Sequence, residues 1–154
     1  MGYLCRKKLE VMKNYVQTDE LQKLINWDVL MGLPRYAGGH DEQMQNLFKG
    51  ARVIAHWNEG DYQGIVATCV LLPDGRYAIY NDYYGSCSGR DSWEDATDEE
   101  VRRMCIELSN STYIFDDLDE VKGFLAWACQ AEVWSSWDGA AEPLLGLINK
   151  LKEE

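Results

Sequence analysis

Ile65-Val-Ala-Thr-Cys-Val-Leu-Leu-Pro-Asp-Gly-Arg-Tyr-Ala-Ile-Tyr-Asn-Asp-Tyr-Tyr84 decides the fold. Ile65, Ala67, Cys69 and Leu71 alternate with Val66, Thr68 and Val70, the period of a strand. The run is apolar on both sides, so this strand is central in its sheet. Pro73-Asp74-Gly75 is a tight-turn signal: proline sets φ early and glycine supplies a positive φ late. Arg76 to Tyr84 is then the next strand. Upstream, Val53, Ala55 and Trp57 alternate with Ile54 and His56, and Asn58-Glu-Gly-Asp61 is a second turn cluster. These runs predict a three-stranded antiparallel meander over residues 52–84.

Both flanks of the meander carry helical spacing. In the first third, Leu4, Lys8, Val11, Met12 and Tyr15 form a weak amphipathic stripe, and Thr18 suits an N-cap. Leu21, Leu24, Ile25 and Val29 follow as one helix that Gly32 and Pro34 stop. After Gly38-Gly39, a short segment from Asp41 to Lys49 places Met44, Leu47 and Phe48 on one side.

Beyond the meander, Thr97 and Glu100 have the spacing of a capping box. Val101, Met104, Cys105 and Leu108 then make a buried stripe, and Glu99 and Glu107 an exposed one. Asp117 and Glu120 repeat the capping spacing before Val121, Phe124, Leu125 and Ala128. A loop or broken helix with Trp134 and Trp137 leads to a last helix opened by Pro143, with Leu144, Leu147, Ile148 and Leu151. The expected class is α+β: one domain over residues 1–154, with helices over about 4–50, the meander over 52–84 and helices over 97–152. The small sheet must bury one face, and the capped helices after it are the natural cover.

Charge narrows the function classes. The 154 residues carry a net charge of −11. Eleven carboxylates lie between Asp91 and Glu120, against only Arg102 and Arg103. A direct nucleic-acid binder needs the opposite sign on its contact face. An acidic run either keeps a solvated face soluble or attracts a basic protein surface. Five cysteines without close pairing suit a reducing compartment. The N-terminus lacks the apolar run of a signal peptide, and Arg6 breaks the myristoylation pattern that Met1-Gly2 begins. The expectation is a cytoplasmic protein with no membrane span.

The segment Gly85-Ser-Cys-Ser-Gly89 leaves the last strand between aromatic flanks. Glycines permit close backbone approach and hydroxyls can donate, so Ser86, Cys87, Ser88 and Arg90 are candidate ligand-binding residues for a nucleotide-like molecule. No lysine follows at P-loop spacing, and the plain alternative is a turn into the capped helix. Cys87 as nucleophile needs a base or a positive field, yet its neighbours are acidic. His40 and His56 with scattered cysteines form no zinc signature, and Asp116 to Glu120 reads as a helix start rather than a calcium loop. No cofactor, metal or catalytic residue is expected. Tyr83, Tyr84 and Trp93 are candidate anchors for a partner, beside the carboxylates of Asp91, Glu94, Asp95, Asp98 and Glu99. Core packing is the competing role for those aromatics.

Residues 61–124 resemble small acidic phage and mobile-element proteins of the anti-defence, anti-CRISPR-like kind. The resemblance rests on Pro73-Asp-Gly75, the Tyr-rich strand, and Tyr84-Gly-Ser-Cys-Ser-Gly-Arg-Asp-Ser-Trp-Glu94 running into an acidic capped helix. It implies a non-catalytic inhibitor that presents carboxylates to the basic channel of a nucleic-acid-handling partner, such as a CRISPR effector, in the host cytoplasm. The first 52 residues lie outside the resemblance and carry no acidic excess, which favours a one-sided acidic face.

Overall fold

Alternation of side chains about the strand axis gives the sheet two different faces, and both are covered. The computed structural model describes residues 19–36, 40–60, 64–84, 93–130, 137 and 139–151. Strands β1 (Arg52–Asn58), β2 (Gly64–Leu71) and β3 (Tyr77–Tyr84) form the expected antiparallel meander. A short strand, β4 (Tyr113–Phe115), adds to the outer side of β3, so the sheet has four strands in the order β1-β2-β3-β4. Sequence reading stops at three because a three-residue run between two helices is too short to show a period of two.

Among the described residues, five helices and one 3-10 helix pack on this sheet. The 3-10 helix is Asp19–Leu24, and the helices are α1 (Trp27–Gly32), α2 (His40–Gln45), α3 (Asp98–Asn110), α4 (Leu118–Gln130) and α5 (Ala141–Asn149). The single helix expected through Leu21 to Val29 is broken. Ile25 pairs with Phe48 in an isolated antiparallel bridge, and Asn26 N–H donates to the Leu47 carbonyl at 2.9 Å. That pairing satisfies backbone groups that a continuous helix would have bonded internally. The last helix begins at Ala141, two residues before Pro143, whose missing N–H falls in the first turn where it costs nothing.

On one face Val66, Val70, Ala78 and Tyr80 pack against the 3-10 helix and α1, α2 and α3, with Leu21, Leu30, Met44 and Val101 fully buried there. On the other, Ala67, Cys69, Ile79 and Phe115 pack against α4 and α5, through Val121, Leu125, Leu144 and Ile148. The expectation of one buried face is therefore corrected: consecutive residues of β2 feed two separate apolar cores, which is why that strand is apolar throughout. Each fully buried large aliphatic or aromatic side chain contributes about 1.5–3 kcal/mol.

Local chemistry sets the junctions. Gly75 takes φ 93° in the β2–β3 turn, and its N–H donates to the Leu72 carbonyl at 3.0 Å. Asp74 closes the same turn by accepting from Arg76 N–H at 3.0 Å and from Arg76 Nε at 2.8 Å. The Thr97 hydroxyl accepts from Glu100 N–H and the Glu100 carboxylate from Thr97 N–H, both at 3.1 Å, which caps α3. At the start of α4, Glu120 N–H donates to Asp117 Oδ1 at 2.9 Å, while the Glu120 carboxylate accepts from Asp116 N–H at 3.3 Å, one residue before the position that a full capping box uses. The expected helix over residues 4–15, the Thr18 cap, Gly38-Gly39 and Trp134 lie outside the described residues. Among the described residues, no helix is long and apolar enough to cross a membrane.

Candidate functional site

α3 divides into a packed stripe and a charged stripe. Val101, Cys105 and Leu108 are buried in the core, and Met104, expected with them, is only half-buried at its margin. Asp95, Asp98, Glu99 and Glu107 are exposed, and Glu94 is half-buried. Beside this helix runs a groove of about 520 Å³ towards β3. Its charged lining is Asp82, Glu100 and Glu107 against Arg103, and Met104 and Leu108 supply apolar surface. Such a lining favours cationic over anionic groups by simple Coulomb attraction.

The acidic run does not form one surface. Glu94 to Glu107 lie on and before α3, over one face of the sheet, whereas Asp116 to Glu120 open α4 over the opposite face. β4 carries the chain from one layer to the other. The expected one-sided face is therefore confined to the α3 half of the run.

The aromatics expected as anchors divide as well. Tyr83 is 57% exposed. Tyr84 is 8% exposed and Trp93 fully buried. The Tyr84 hydroxyl accepts from Gly60 N–H at 3.1 Å, and the Trp93 indole N–H donates to the Pro34 carbonyl at 3.0 Å. Both rings lie against buried His40, with centroids 6.2 Å and 6.4 Å away. Burial with their polar ends bonded makes Tyr84 and Trp93 core struts of this surface, and correspondingly unavailable as contact residues. Their tyrosine and tryptophan chemistry suits either role, so composition alone does not separate them. Asp91, Ser86, Cys87, Ser88 and Arg90 lie outside the described residues.

Sequence reasoning missed Arg35. Its guanidinium meets Asp98 at 2.7 Å and donates to the Ala96 carbonyl at 2.9 Å and the Met31 carbonyl at 3.2 Å. Arg35 also accepts Asp95 N–H on its own carbonyl at 2.9 Å, where Asp95 takes φ 56°. These bonds fix the acidic stretch before α3 to the end of α1. No sequence pattern joins residues so far apart. Asp98 is thus tied down, whereas Asp95 and Glu99 keep their carboxylates exposed.

His56, in β1, is held between two polar partners. Nε2 lies 2.7 Å from Asp41 Oδ1, and Nδ1 lies 2.9 Å from the Thr68 hydroxyl. Asn58 also donates to Asp41, at 2.9 Å. Both ring nitrogens are engaged, and Thr68 is fully buried. The group holds α2 on the sheet; it offers no nitrogen to a substrate in this arrangement.

No family model, curated protein or solved structure matches this chain. Among the described residues, no group of three or more His, Cys, Asp or Glu side chains is placed to hold a metal ion. Burial pushes the Cys69 thiol up to about 12 and the Cys105 thiol to about 11, so both stay protonated at neutral pH.

Proposed function

We propose that this chain is a non-catalytic interaction protein that docks the α3 side of its surface on a basic partner. The observation that carries this reading is the exposure of Asp95, Glu99 and Glu107 beside the groove lined by Asp82 and Glu100. Carboxylates in this arrangement steer a basic surface to the protein; Tyr83, though exposed, alternates with Tyr84 to the opposite face of the sheet, beside Ile65. Together with the resemblance of residues 61–124, the reading is an anti-defence inhibitor of a nucleic-acid-handling complex such as a CRISPR effector. It would act by covering a channel that otherwise holds nucleic acid.

The test is inhibition and association kinetics with purified guide-loaded CRISPR effectors. The triple variant Glu94→Lys, Asp95→Lys, Glu99→Lys should keep the native melting curve, because its side chains are not fully packed. Its association should slow by about tenfold or more at low ionic strength, with the difference shrinking as salt rises. An association rate equal to that of the native chain at low salt would leave the acidic stripe a solubility feature and remove this reading.

A further inference from the structure

A second groove, of about 690 Å³, lies on the other side of the sheet, where the starts of β1, β3 and α4 meet the end of α5. Its apolar lining is Val53, Ile54, Tyr77, Leu118, Ile148 and Leu151. Leu151 is 43% exposed, a large aliphatic side chain left in water in the groove lining. Two cations, Arg52 and Lys122, and two carboxylates, Asp117 and Asp119, complete the lining. Asp117 is occupied in capping α4. Among the described residues, Arg52, Asp119 and Lys122 make no ion pair.

The groove is thus locally balanced in a chain of net charge −11. A uniformly acidic partner meets Asp117 and Asp119 there, and a uniformly basic one meets Arg52 and Lys122. The surface that fits carries both signs around an apolar centre, as this surface itself does. A two-fold axis places each patch against its own copy, and an axis passing between the cations and the carboxylates sets each sign of one copy against the opposite sign of the other. The acidic α3 side offers no such match to a second copy.

We propose that this groove is the centre of a two-fold interface with a second copy of the chain, in which Arg52 of each copy faces Asp119 of the other. Leu151 and Ile54 supply its apolar middle and the charges its rim. Arg52 and Asp119 are the members of each sign that are exposed and outside any cap. A stable interface takes about 800 Å² from each copy, so the groove is its core and the surrounding ends of β1, α4 and α5 its margin.

Equilibrium sedimentation of the full chain from about 1 μM to about 1 mM tests this. A concentration-dependent dimer is expected. Leu151→Asp and Arg52→Glu should each raise the dissociation constant about tenfold or more while circular-dichroism melts of the monomers stay native. The double variant Arg52→Glu, Asp119→Arg should recover most of the loss, because the swapped charges again face each other across the axis. A monomer throughout the range would overturn the proposal. So would a dimer indifferent to both single substitutions, or a double variant no better than Arg52→Glu alone.

Discussion

The Trp93 indole N–H donates to the Pro34 carbonyl at 3.0 Å, across a gap of 59 residues in the chain. This bond holds the stretch that enters α3 against the segment that follows α1. The same junction carries the Arg35 to Asp98 ion pair at 2.7 Å. The acidic stripe therefore sits on a fixed base.

Trp93→Ala should cost about 3–5 kcal/mol in urea unfolding, the range for removing a fully buried indole. Trp93→Phe should cost less, since the ring volume is largely kept. It leaves the Pro34 carbonyl without its donor, a loss of about 1–3 kcal/mol where no water replaces it. Equal stability of the native chain and the alanine variant would mean that Trp93 is not packed as described.

On α3 the cost of truncation should follow burial. Leu108→Ala should lose about 2–5 kcal/mol. Met104→Ala should lose clearly less, because Met104 is half-buried beside the groove. Glu107→Lys, on the exposed side, should change stability by no more than about 0.5 kcal/mol. Urea midpoints of the three variants, taken under one condition, check this order.

The Asp41–His56 contact predicts a coupled pair. Asp41→Ala and His56→Ala should each destabilise, and a double-mutant cycle should return an interaction of about 0.5–3 kcal/mol. Additive losses would show that the Asp41–His56 contact does not help to hold α2 on the sheet. Thr68→Val, which removes the hydroxyl from the other ring nitrogen, is the companion variant.

Alkaline pH should destabilise the fold through its buried thiols. The Cys69 and Cys105 values are raised from the ordinary 9.0 to about 12 and about 11, first by desolvation. A group raised on folding contributes stability that is complete below its unfolded value and is lost as pH climbs through the folded one. Stability should therefore decline from about pH 9 upward, and the decline should be shallower in Cys69→Ala. Urea midpoints at several alkaline pH values measure it. Parallel slopes for the two proteins would show that Cys69 does not drive the loss.

Asp74 titrates in the opposite sense. Its hydrogen bonds from Arg76 hold its carboxyl below the ordinary range. The small stability it contributes is present above the unfolded carboxyl value and is lost as pH falls through the lowered folded value. Carboxyl titration by NMR should place Asp74 below an unperturbed aspartate, and Arg76→Ala should bring it part of the way back, since the backbone N–H of residue 76 still donates to it.

The meander was legible because its information is local. Alternation marks β2 and β3, and Pro73-Asp74-Gly75 marks the turn between them, with Gly75 at positive φ as that turn requires. The Thr97 and Glu100 box was readable for the same reason: donor and acceptor are three residues apart. The break at Ile25 was not readable, because its cause is Phe48, a residue with no spacing relation to it. β4 was hidden by its length of three residues.

The candidate face was legible as a composition and not as a surface. The carboxylates between Asp91 and Glu120 are plain in the sequence, but β4 sends them to two layers. Tyr83 and Tyr84 are adjacent in one strand, so alternation puts them on opposite faces; which neighbour is exposed depends on the helices that arrive there.

By itself the sequence determined the periods, turns and caps, since each is an interaction between residues within one turn or one strand. Tertiary structure alone decided that both faces of the sheet are covered, that Trp93 and Tyr84 are inside, and that Arg35 and Asp98 meet. Those outcomes depend on which distant surfaces exclude water together, and burial of apolar area carries no directional signal along the chain.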